Sequence, residues 1–109
     1  MSDGLPDRED AGVAYRYLCK TDEKYARACA TLGAKEQGVK VAKAIAMGKH
    51  DGAYNERERQ ALCSPEYKLA LGEQEEAAYN KILLDTKRKR AVVCLETWRT
   101  IESSRRLGV

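Results

Sequence analysis

The chain contains no phenylalanine, one tryptophan, two prolines and one histidine in 109 residues. Without large aromatic side chains a thick globular core is hard to fill, so a thin helical layer is the architecture this composition favours. With so little proline, long helices can run unbroken. A single histidine excludes the common zinc ligand sets built on several imidazoles. The four cysteines, Cys19, Cys29, Cys63 and Cys94, form no CxxC pair. An even count could make two disulfides in a secreted protein, but reduced thiols are expected, with Cys19, Cys29 and Cys94, which fall in helical patterns, as small buried apolar side chains. No apolar run approaches the ~20 residues that cross a bilayer. The polar start Met1 to Asp10 carries no secretory apolar region, so a cytoplasmic setting without membrane contact is expected.

Charge is plentiful: 34% of the residues are Asp, Glu, Lys or Arg, for a net charge of +3. Residues 51 to 80 carry three basic and seven acidic side chains, whereas residues 81 to 109 carry eight basic and three acidic ones. Residues 1 to 50 are nearly balanced, with nine and seven. A uniformly basic coating protein is therefore excluded. A local basic segment suited to phosphate or to an acidic protein surface remains.

Pro6, followed by Asp7, Glu9 and Asp10, predicts a helix beginning near Pro6, with residues 1 to 6 flexible before it. Val13, Ala14, Tyr17 and Leu18 supply its apolar face. Thr21 before Asp22 and Glu23 reads as a new N-cap, so a break is expected near Lys20 and Thr21, leaving a short helix near 7 to 19. From about 22 to 48, Tyr25, Leu32, Val39 and Ala46 recur every seven residues, with Ala28 and Ala42 between them and Lys35 interrupting the row. That is a coiled-coil-like seam of small residues. Gly33 and Gly38 within it read either as a hinge or as positions of close packing or plain tolerance.

Gly48 to Gly52 predicts a turn, and residues 54 to 63 a short helix. Ser64 and Pro65 then supply an N-cap and a first-turn proline. From 65 to about 105 the pattern predicts one long helix with an acidic first half and a basic second half. The fold class expected is all-α: a single domain built as a long antiparallel helical hairpin with short flanking helices. The 65 to 105 helix should overhang its shorter partner, and the overhang calls for a second copy. Leu84, Ala91, Leu95, Trp98 and Ile101 are the expected interface row of that oligomer.

On an ideal helical wheel Lys81, Arg88, Arg99 and Arg106 fall within about 20° of one another. They form a candidate basic stripe for nucleic acid, with Lys87, Lys89, Arg90 and Arg105 strengthening its field. The helix dipole favours the same placement of cations, as would antiparallel pairing of two copies, so charge pattern alone leaves both readings open. Trp98 could stack on a base, but its row with Leu95 and Ile101 favours packing. His50 with Asp51 and a distant Cys63 gives no spacing of a metal site or thiol nucleophile. The carboxylates lie in solvated helical patterns without a pocket signal, so no catalysis, metal or cofactor is expected.

The stretch Gly52-Ala53-Tyr54-Asn55-Glu56-Arg57-Glu58-Arg59-Gln60-Ala61-Leu62-Cys63-Ser64-Pro65-Glu66-Tyr67, followed by Glu96-Thr97-Trp98-Arg99-Thr100-Ile101-Glu102-Ser103-Ser104-Arg105-Arg106, resembles small helical proteins of tailed phages and prophages. The similarity covers about residues 22 to 106. Such proteins are often encoded near recombination or replication functions. The resemblance therefore implies an accessory role in DNA metabolism inside a bacterial host cell, with nucleic acid or a DNA-processing protein as partner. The alternative is an adaptor or inhibitor directed at a host protein, without nucleic-acid binding.

Overall fold

A computed structural model describes residues 4 to 108. Among these, three helices account for the regular structure and no strand is present: α1 (Arg8–Gly48), α2 (Tyr54–Leu62) and α3 (Pro65–Arg106). α1 and α3 form the antiparallel hairpin. The predicted turn, short helix and second long helix stand where the sequence placed them. The predicted break near Thr21 does not exist.

The chain stays helical through this position. The Thr21 hydroxyl donates back to the Tyr17 carbonyl at 2.7 Å, the i−4 bond a threonine makes inside a helix, instead of capping the residues that follow. Seven percent exposed, Thr21 occupies a seam position. The row Tyr25, Ala28, Leu32, Lys35, Val39, Ala42, Ala46 continues backwards without interruption through Thr21, Leu18, Ala14 and Ala11, all buried or half-buried. Steps of three and four throughout make one 41-residue helix of two expected ones.

The true start of α1 lies after Pro6. Asp7 is its cap: the Asp10 N–H donates to Asp7 Oδ1 at 2.8 Å, and the Asp7 N–H donates to Asp10 Oδ2 at 3.0 Å. Two otherwise unpaired helix-start donors are satisfied reciprocally, in the manner of a capping box. Pro6 therefore precedes the cap instead of opening the helix. The expectation for residues 1 to 3 falls outside the described part.

The chain divides into two compact units. The first comprises the chain up to Ala26 and from Leu83 onward, so the early part of α1 packs on the late part of α3. The expected overhang of α3 is thus met by its own chain. Ala11, Ala14, Leu84 and Ala91 are the buried apolar side chains here.

The second unit, Arg27–Ile82, contains the turn. Gly52 closes the loop at φ +115°, a left-handed conformation open to glycine at little cost. Ala61 of α2 is completely buried. Ser64 joins α2 to α3: its hydroxyl donates to the Ala61 carbonyl at 2.7 Å and accepts the Tyr67 N–H at 3.3 Å, the expected N-cap. Lys43 pairs with Glu58 of α2 at 3.7 Å, while Lys35 meets Glu73 and Lys49 meets Glu66 across the hairpin, at 3.2 and 3.3 Å. These pairs are largely exposed and each contributes at most about 1 kcal/mol. They fix register more than stability.

Among the described residues the buried apolar side chains are alanines with one leucine, and no large side chain is fully buried. Small seam residues permit close helix approach, but they bury little area per turn. The consequence is a long series of exposed apolar side chains, including Val13, Leu69, Tyr79 and Ile82. Gly33 and Gly38 are not close-packing positions: an added Cβ would meet nothing within 4 Å at either. Both lie within the unbroken α1, and tolerance is the reading that fits them.

Candidate binding surfaces

The burial pattern of α3 follows a seven-residue repeat. Tyr67, Ala70, Gln74, Ala77, Lys81, Leu84, Arg88, Ala91, Leu95, Trp98 and Glu102 form its half-buried to buried row. An ideal helix drifts by ~20° per heptad from this period. The drift breaks up the expected basic stripe. Lys81 and Arg88 share a seam position with Leu95 and Glu102, while Arg99 and Arg106 stand one residue beyond the seam residue Trp98 and its heptad successor Arg105, both exposed.

Arg88 is the clearest case. Its Nη1 donates to the Leu18 carbonyl at 2.9 Å and to Thr21 Oγ1 at 2.7 Å, and its Nη2 meets Asp22 Oδ1 at 2.6 Å. The guanidinium also lies over the Tyr25 ring, 5.3 Å from its centroid. With its side chain only 19% exposed, Arg88 is a fastening between α1 and α3. The planar fork suits this task, reaching three acceptors on one helix face. Tyr25 adds a second link, donating its hydroxyl to Asp85 at 3.3 Å.

The other candidate cations divide by exposure. Lys81 is half-buried. Lys87, Lys89, Arg90, Arg99, Arg105 and Arg106 are exposed. Lys89 pairs with Asp85 at 2.9 Å and Arg105 with Glu102 at 3.1 Å, both within α3 itself. Of the expected interface row, Leu84 and Ala91 are buried within the single chain, and Leu95, Trp98 and Ile101 are half-buried. The row is largely the hairpin's own seam.

A groove of about 520 Å³ opens in the first unit. Ala14 and Ala91 form its floor, Val13, Tyr17 and Cys94 its walls, and Lys87 and Arg90 stand at its rim. This feature was hard to read from the sequence because its walls come from segments some eighty residues apart, and Val13 was expected to face the core. Val13 is instead 56% exposed.

In the second unit a depression of about 570 Å³ is lined by His50, Cys63, Ser64 and Glu66 among others. Folding thus brings His50 and Cys63 to one place, which spacing did not foretell. Ser64 spends its hydroxyl on capping, and no hydrogen bond joins His50 to Cys63 among the described residues. The Glu66 carboxyl is held below its ordinary range, first by its own backbone N–H and then by Lys49. That is the electrostatics of a helix start. Among the described residues no cluster of three or more His, Cys, Asp or Glu side chains is placed to hold a metal ion.

The cysteines are free thiols as expected, but none of Cys19, Cys29 and Cys94 is the buried apolar side chain expected of it. Cys19 and Cys63 are exposed and Cys29 and Cys94 half-buried, and all four are free thiols. Among the described residues no helix is long and apolar enough to cross a membrane. No family model matches the chain, nor does any curated protein or solved structure.

Proposed function

We propose that this chain is a non-catalytic accessory protein of DNA metabolism that engages nucleic acid, or an enzyme acting on it, through the exposed cations near the end of α3. The observation that carries this reading is the exposure of Lys87, Lys89, Arg90, Arg99, Arg105 and Arg106 within one helical segment. The two of them with carboxylate partners, Lys89 and Arg105, are themselves 76% and 73% exposed and meet those partners within the same helix. Such pairs contribute a few tenths of a kcal/mol and yield readily to phosphate. Resemblance to small helical phage proteins supplies the DNA-metabolism setting.

Cations that neutralise phosphates release condensed counterions, so binding should fall steeply as salt rises, with a slope near −0.9 per phosphate contacted on duplex and about −0.7 on single strands. Arg88 has no part in this surface. The experiment is titration of labelled single-stranded DNA, double-stranded DNA and RNA across a salt series, comparing the parent with a triple Arg99, Arg105, Arg106 to Ala variant. Unchanged binding of all three polymers by the folded triple variant overturns the reading.

The second reading is a protein adaptor or inhibitor acting without nucleic acid. It is favoured by the groove, whose exposed apolar wall and cationic rim suit an acidic, partly apolar surface. A stable complex with a purified protein partner, formed after nuclease treatment and insensitive to Arg99 and Arg106 replacement, would select it.

A further inference from the structure

We propose that the groove of the first unit is filled by the Leu69 and Glu73 face of α3 from a second copy of this chain. The inference does not rest on the nucleic-acid reading: it assigns Lys87 and Arg90, which line the groove, to the second copy and leaves Lys89, Arg99, Arg105 and Arg106 for nucleic acid. Its first support is the groove's own chemistry. Val13 is 56% exposed there, and Lys87 and Arg90, at the rim, have no carboxylate partner among the described residues. Asp10, also lining the groove, accepts the Asp7 N–H through Oδ2 and forms no ion pair with either rim cation. An occupant must bring an apolar side chain to cover the floor and a carboxylate to meet the rim.

The second unit displays that combination. Leu69 is 68% exposed. Glu73 lies one helical turn further along the same face and Glu76 nearly another, both exposed. Only Oε2 of Glu73 is engaged, by Lys35, and its side chain is 50% exposed, so the carboxylate can take a second cation.

Spacing decides the fit. If α3 of a second copy enters the groove antiparallel to α3 of the first, Leu69 level with Ala91 sets Glu73 level with Lys87. The residues in each pair are four positions apart, about 6 Å at a rise of 1.5 Å per residue. Leucine then covers the alanine floor between Val13, Tyr17 and Cys94, and the carboxylate stands beside Lys87 with Arg90 at its flank. Every copy carries both surfaces, so association requires no other molecule.

Sedimentation velocity of the full chain, freed of nucleic acid, over a wide concentration series tests this. The expected result is a mass that rises with concentration. Leu69→Gln and Lys87→Glu should each weaken association at least about tenfold, a change of ~1.4 kcal/mol. Lys87→Glu combined with Glu73→Lys should recover most of the loss. Tyr54→Gln, which removes an exposed side chain of α2 outside both surfaces, should leave association unchanged. Helicity measured on each variant confirms folding, since all the altered side chains lie on the surface. A chain that stays monomeric at every concentration overturns the proposal, as does association indifferent to Leu69→Gln and Lys87→Glu. A monomer that instead holds an acidic peptide or DNA against Lys87 assigns the groove to a different occupant and overturns it equally.

Discussion

Replacing Arg88 separates packing from charge at the centre of the hairpin seam. In Arg88→Ala three hydrogen bonds and the stacking on Tyr25 vanish together. Charge-assisted bonds contribute ~1.5 to 3 kcal/mol each in favourable cases. Two discounts apply. Asp22 is 68% exposed, so its pairing is screened and contributes at most about 1 kcal/mol. Thr21 keeps its bond to the Tyr17 carbonyl, and the Leu18 carbonyl belongs to an α-helix with its own backbone donor, so no buried acceptor is orphaned. Adding the packing lost with the aliphatic stem, the expected cost is about 2 to 3 kcal/mol. Arg88→Met refills the seam position with an apolar side chain of similar length and should stay within about 1 kcal/mol of the parent, because the packing is kept and Asp22, 68% exposed, is left in solvent and not as an unpaired buried charge. The assay is urea unfolding followed by helicity, read as a midpoint shift at constant slope. For a domain of this size ~1 kcal/mol corresponds to roughly 4 to 8 °C in Tm. An Arg88→Ala variant as stable as the parent refutes the fastening, and an Arg88→Met variant as damaged as Arg88→Ala refutes the claim that packing can replace it.

Gly33→Ala and Gly38→Ala should each stabilise the chain by about 0.4 to 1 kcal/mol, since both positions are helical and an added Cβ meets nothing within 4 Å; unchanged or lowered unfolding midpoints would count against an unbroken α1. The Asp7 carboxyl lies below its ordinary range, chiefly because the Asp10 backbone N–H bonds it, with the Asp10 side chain adding to the effect. A depressed carboxyl stabilises the fold above its unfolded pKa and loses that contribution as pH falls through its folded value. The first turn of α1 should therefore fray on acidification, seen as faster amide exchange at Glu9 to Ala11 than expected from pH alone. Asp7→Ala should show the frayed behaviour already at neutral pH, and equal protection in both proteins would remove the cap's role.

The sequence by itself determined the helical class, the turn, the start of α3 and most of the α1 seam. Those features are written in local signals: a glycine-flanked polar loop, Ser64 before Pro65, and apolar residues at steps of three and four. The same steps could also have been followed back from Tyr25 through Thr21 and Leu18 to Ala14. What obscured them was Thr21, whose side chain suits either a cap or a back-bonded helix interior, and local chemistry does not choose between the two. Arg88 chose, because the helix passing opposite supplied a donor for the hydroxyl and the carbonyl beside it. The same long-range pairing turned a cation of the expected surface stripe inward. It also placed Val13 and Tyr17 beside Cys94, building a groove from segments remote in the chain. Helical periodicity fixes which side chains share a face of one helix; only packing against another helix decides which face is covered, and so which charges remain for a partner.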